Sequence, residues 1–64
     1  MNVDRIAARE LEHAGSIASG LDLSEIGMDG HGVANRLWRI AAFLRQRAAR
    51  EDREALQRAE ADRP

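Results

Sequence analysis

Apolar side chains recur every three to four positions along the first third of the chain, the spacing of an amphipathic helix. The pattern predicts a first helix from Val3 to about Ser19. Asn2 is placed to cap it, Asp4 lies in the first turn where the helix dipole favours an anion, and Gly20 can supply a left-handed residue that ends it. One arc of about 140° is predicted to face the core. It consists of Val3, Ile6, Ala7, Leu11, Ala14, Ile17, Ala18 and Leu21.

The same spacing returns in the second half of the chain and predicts a second helix over about residues 31–61. Its core arc consists of Val33, Ala34, Leu37, Ile40, Ala41, Leu44 and Ala48. A second apolar stripe beside that arc consists of Trp38, Ala42, Ala49 and Leu56. Arc and stripe together span about 200°, more than one shorter helix can cover. We therefore expect the second stripe to mediate self-association.

Residues 20–32 connect the two helices and combine four glycines with four large apolar residues. So many apolar side chains are unusual in a solvent loop. We expect a short helical turn, with Asp22 and Glu25 as a capping pair, that covers the end of the helices as an apolar lid. The predicted fold is therefore all-α. It is a single domain of residues 1–64, a helical hairpin that dimerises into a helical bundle.

The size of the chain also favours self-association. Its 64 residues leave room for one domain with a thin core, and twelve of the apolar residues are alanines. With no cysteine, neither a disulfide nor a Cys-ligated zinc can stabilise the fold. Association of two or more copies is the remaining common solution.

Charge is unevenly distributed, although the formal net charge is only −1. Residues 1–32 hold two arginines and six acids, and residues 33–64 hold eight arginines and five acids. Helical spacing places a basic and aromatic strip on helix 2, formed by Arg36, Arg39, Phe43, Arg47 and Arg50.

Three interpretations of this strip stay open at the level of sequence. Its arginines could pair with helix 1 acids such as Glu10 and Glu12 or be solvated. The strip could bind an acidic groove on a larger protein, because Arg and aromatic side chains are frequent interface anchors. It could also bind nucleic acid, with the arginines on phosphates and Phe43 stacked on a base.

Other candidate chemistry is sparse. Glu10 and His13 have the Glu-x-x-His spacing of carboxylate-bridged metal sites, which require further inward carboxylates that the sequence lacks. A Glu10–Arg ion pair that fixes helix register is the better interpretation. The turn at residues 30–32 could bind an anion, but capping explains its glycines better. With no cysteine or tyrosine, we expect no catalysis, no cofactor and no metal.

These observations predict a small, homo-oligomeric, non-catalytic helical protein that regulates or inhibits a larger protein, of the kind found among phage and mobile-element accessory proteins. The alternative is a dimeric helical bundle that binds RNA through the Arg/Phe strip. Absence of a signal-peptide pattern and of any stretch of ~20 apolar residues indicates a bacterial or host cytoplasm. All ten basic residues are arginine, which favours a bacterial or phage source.

Overall fold

A computed structural model describes residues 2–63 and shows two antiparallel helices. Helix α1 spans Val3–Ser19, a 3₁₀ turn spans Ser24–Ile26, and helix α2 spans Gly30–Ala61. No strand occurs between residues 2 and 63. The predicted all-α helical hairpin is confirmed. Neither helix is long and apolar enough to cross a membrane over the part of the chain that the structure describes.

Both helices begin at residues whose side chains cap them. The Oδ1 atom of Asn2 accepts a hydrogen bond from the backbone N–H of Asp4 at 2.9 Å. At the start of α2, the carboxylate of Asp29 accepts from the N–H groups of His31 and Gly32, both at 3.3 Å. These bonds satisfy N–H groups that have no partner inside the helix.

The connection differs from the sequence prediction at Gly20, which is not left-handed. Its φ is −95°, and α1 ends through hydrogen bonds from Gly20 N to Ile17 O and from Leu21 N to Ala18 O. The left-handed residue is Gly27 (φ 71°), where Met28 N donates to Leu23 O. This is a Schellman closure of the 3₁₀ turn. The chain reverses after that turn, so α1 can end without a left-handed residue.

The predicted capping pair in this turn is half present. The Oδ1 atom of Asp22 accepts from Ser24 N at 3.0 Å, whereas Glu25 makes no hydrogen bond in return among the described residues. The turn also covers little, since Leu23 is half-buried and Ile26 and Met28 are exposed. The apolar lid therefore presents most of its apolar surface outward.

Small residues form the seam between α1 and α2. The buried positions are Ala8, Gly15 and Ala18 on α1, and Gly30, Ala34, Ala41 and Ala48 on α2. On α2 the buried alanines recur every seven residues from Ala34 to Ala48. The half-buried Leu37 and Leu44 fall between them, as in a coiled coil. No large apolar side chain among residues 2–63 is fully buried. The seam thus buries little apolar surface for its length.

The core arc predicted for α1 is rotated about a quarter turn from the seam. Leu11 and Ala18 adjoin α2, but Val3, Ile6 and Ile17 are exposed. Helix axes approach to about 8 Å only where the facing side chains are small. Ala8 and Gly15 offer that approach, whereas the isoleucines would hold the helices apart. On α2 the predicted arc is largely correct, except that Ile40 is exposed.

Helix α2 is 32 residues long and α1 is 17, so the last part of α2 extends beyond α1. Every side chain from residue 50 to residue 63 is exposed. The molecule is correspondingly elongated, with extents of 63 × 15 × 13 Å. We call residues 50–61 the α2 tail.

We expect Gly30→Ala to destabilise the fold and Gly32→Ala to stabilise it. A Cβ at residue 30 would collide with the carbonyl oxygens of Ala18 and Leu21, while a Cβ at residue 32 comes no closer than 3.6 Å to Asp29. The collision should cost about 1–3 kcal/mol. The second change should add up to about 1 kcal/mol through helix propensity. Urea unfolding at one fixed protein concentration measures both, and equal effects would contradict the tight contact at Gly30.

Candidate interaction surfaces

The plane through the two helices separates two faces of the hairpin. At about 100° per residue, one face carries Arg5, Glu12, Trp38, Ala42, Arg45, Ala49 and Asp52; we call it the Trp38 face. The opposite face carries Val3, Ala7, Ala14, Ile17 and Leu21 with Val33, Leu37, Ile40, Phe43 and Leu44; we call it the Ile40 face. The Ile40 face holds most of the large apolar side chains, with Glu10 and Arg47 among them.

Polar contacts between α1 and α2 dominate the Trp38 face. The indole Nε1–H of Trp38 donates to the carbonyl oxygen of Glu12 at 3.3 Å. The Glu12 carboxylate accepts from both Nε and Nη2 of Arg45, and Arg5 pairs with Asp52. These bonds satisfy the polar groups of this face within the chain.

The ring of Trp38 packs on the backbone of Gly15, so closely that a Cβ at residue 15 would lie 2.8 Å from its Cδ1 atom. A glycine is therefore required where the ring crosses α1. The sequence pattern assigned Trp38 to the self-association stripe, whereas the structure packs its ring on α1 of the same chain.

The predicted self-association stripe lies on the Trp38 face without forming a continuous apolar surface. Trp38 contacts α1, Ala42 is exposed, and Ala49 is half-buried. Leu56 lies in the α2 tail and is 61% exposed. Arg45 and its ion pair interrupt the stripe.

The Ile40 face is the apolar face of the hairpin. Ile17 is 53% exposed, Phe43 52% and Ile40 48%, and no residue between 2 and 63 covers them fully. Leu37 and Leu44 are half-buried beside the seam. The hydrophobic pattern predicted most of these side chains in a core between the helices. The signal for the actual seam is the spacing of Ala34, Ala41 and Ala48, seven residues apart, on the adjacent side of α2.

Of the basic strip, Arg47 is held inside the hairpin. Its Nε and Nη2 atoms donate to the Asp4 carboxylate at 2.6 and 2.9 Å, and its guanidinium lies 5.3 Å from the centroid of the Phe43 ring. Arg36, Arg39 and Arg50 are exposed and make no ion pair with any residue from 2 to 63. Pairing with α1 therefore accounts for one arginine of the strip.

Glu10 makes no ion pair in the described chain, so the predicted Glu10–Arg register bridge is wrong within one hairpin. Arg45 pairs with Glu12 instead, on the opposite face. Glu10 is exposed and lies among the apolar residues of the Ile40 face. Residues 2–63 contain no group of three or more potential metal ligands around Glu10 and His13 or elsewhere.

Two open recesses lie at opposite ends of the Ile40 face. One, of about 390 Å³, is lined by Asn2, Val3, Asp4, Arg47 and Glu51. The other, of about 300 Å³, is lined by Gly27, Met28, Asp29, Gly32, Val33 and Arg36. Asp29 already occupies the N–H groups of the turn at residues 30–32, so an anion would meet a carboxylate there. Neither recess combines a nucleophile with a general base.

The ion pairs perturb the acids that form them. Hydrogen bonding to Arg47 holds the pKa of Asp4 below its ordinary value, and hydrogen bonding to Arg45 does the same to the pKa of Glu12. The positive charges of the two guanidinium groups add to this effect. Both bonds join α1 to α2, so they link hairpin stability to pH.

Comparison of the chain with protein-family models, curated protein sequences and solved structures found no match.

We expect the hairpin to lose stability as the pH falls below about 4.5. Folded Asp4 and Glu12 have pKa values below the ordinary 3.8 and 4.5, so acid protonates them first in the unfolded chain. Their contribution is complete at neutral pH and is lost as pH falls through the folded values. Circular dichroism melts from pH 7 to pH 3 measure the change. An Asp4→Asn/Glu12→Gln variant should show a smaller acid-induced drop in Tm, and an unchanged drop would contradict this role.

Proposed function

We propose that this chain is a small, non-catalytic helical protein that associates with itself and regulates or inhibits a larger protein. The contact with that protein is made by the basic strip of α2. One observation carries the proposal: Phe43 is half exposed between three arginines that have no ion-pair partner between residues 2 and 63.

The neighbours of Phe43 prepare it for binding. Arg47 lies over the ring and is itself held by Asp4, so the ring and one guanidinium are positioned before any partner arrives. A side chain that is already ordered loses less conformational entropy on binding. Arginine and aromatic residues are also the side chains that most often dominate interface energies.

The distribution of charge favours an acidic protein surface over nucleic acid. Toward the α2 tail, the side of the helix that carries the strip continues into Glu51 and Glu54. These carboxylates would repel a phosphate backbone that ran along the helix, whereas a compact acidic groove would meet only the arginines. The formal net charge of −1 also opposes long-range attraction to nucleic acid.

We expect Arg50→Glu to abolish capture of the partner while Arg63→Glu leaves it unchanged. Both variants change the net charge equally, but only Arg50 belongs to the strip. Immobilised protein would be incubated with extract of its source cells, and the retained proteins identified by mass spectrometry. One protein should bind the original chain and Arg63→Glu at least about tenfold better than Arg50→Glu, a difference of about 1.4 kcal/mol.

Two results would contradict the proposal. Equal capture by all three proteins would remove the strip from the interface. Retention that is lost after nuclease treatment, with RNA affinity that falls steeply between 50 and 200 mM salt, would show a nucleic-acid binder instead. Circular dichroism on the two variants confirms that both are folded.

A further inference from the structure

We propose that a second copy of the chain covers the Ile40 face, with α1 of each copy stacked on α2 of the other and Glu10 of one copy paired with Arg39 of its partner. This deepens the self-association included in the proposed function. It moves the interface from the Trp38 face to the opposite side of the hairpin. Arg39 then belongs to the dimer, while Phe43 and Arg50, on the side of α2 away from α1, lie at its outer edge and remain for the outside partner.

The surface of the isolated hairpin is too large for its mass. The chain exposes 5221 Å², whereas a compact monomer of 7.1 kDa exposes about 4,100 Å². Its radius of gyration is 16.8 Å, against about 11 Å for a compact domain of this length. A stable complex of standard size buries about 800 Å² from each partner. Part of the excess is the exposed α2 tail, and part is the apolar surface that the thin seam leaves uncovered.

The uncovered apolar side chains concentrate on one face. Ile17, Ile40 and Phe43 are each about half exposed, and Val3 is more exposed still. The Trp38 face offers only Trp38 itself, which already packs on Gly15, and Leu56 beyond the end of α1. Between residues 2 and 63 all buried side chains are alanines, so a monomer lacks the apolar burial that stabilises larger domains. Stacking two Ile40 faces supplies it.

Charge complementarity argues that the occupant is another copy and fixes how it stacks. Asp4 lies opposite Arg47 along the hairpin, and Gly15 opposite Trp38. Glu10 therefore lies level with about residue 42 of α2. Arg39 is about 4.5 Å along the axis from that level, within reach of a guanidinium, and Arg36 is about one turn further. With α1 over α2, Glu10, which makes no ion pair between residues 2 and 63 of its own chain, meets Arg39 and Arg36 of the partner.

The other two-fold arrangement stacks α1 on α1 and α2 on α2, and it opposes like charges. It places Arg36 near Arg47 of the partner and brings the two Glu10 carboxylates toward each other. Like charges across an interface disfavour that arrangement. The favoured two-fold axis therefore runs parallel to the helices, and both α2 tails project from the same end.

The first test compares Ile40→Asp with Ala42→Asp, the same type of change on opposite faces of α2. Sedimentation equilibrium of the original chain should give a dimer of about twice 7.1 kDa at micromolar concentration. Ile40→Asp should shift the mass to the monomer or unfold the chain, and Ala42→Asp should remain dimeric. A 7.1 kDa original chain at 100 μM overturns the proposal. Dissociation by Ala42→Asp alone would place the interface on the Trp38 face and also overturn it.

The second test fixes the stacking. Glu10→Gln and Arg39→Glu should each raise the dimer dissociation constant, by about threefold and about tenfold respectively, and Glu10→Arg/Arg39→Glu in one chain should restore it. A Glu10→Gln variant that dimerises more tightly would show that Glu10 faces Glu10, which overturns the stacking. Arg50→Glu should keep the dimer mass, so undiminished capture by this variant with an intact dimer contradicts only the outside partner.

Discussion

The close approach of α1 and α2 along a line of alanines and glycines determines the rest of this structure. Where Ala8 and Gly15 face the alanines of α2, the backbones can come nearer than larger side chains would allow. The two helices are in tight contact only along this narrow seam, and the large apolar residues lie to either side of it. The hairpin is consequently well defined in register but poor in buried volume.

That displacement gives the two faces their different characters. On one side the long side chains of Arg45 and Trp38 reach across the seam and are satisfied by Glu12. On the other side the isoleucines and leucines remain beside each other without a cover. Polar bonds thus complete the first face within one chain, while large apolar side chains of the second face stay about half exposed.

The sequence was sufficient for features that depend on neighbouring residues. Asn2 and Asp29 cap their helices because a short polar side chain reaches the N–H groups two or three residues ahead. It was insufficient for the rotation of α1, since hydrophobic periodicity marks where apolar residues lie and not which side faces the partner helix. The predicted Glu10–Arg ion pair was wrong for the same reason. Glu10 lies within the predicted core arc of α1, and that side of α1 does not face α2.

The line of small residues has a consequence for which substitutions the chain can accept. In an ordinary core, large apolar positions are the most constrained and alanines vary freely. Here the smallest side chains occupy the positions with no spare space: a methyl group at Gly15 or Gly30 meets an indole or a backbone carbonyl. Variation should therefore be lowest where the residues are smallest. The bulky positions lie at the sides of the seam, where contacts within the hairpin allow exchange among apolar types.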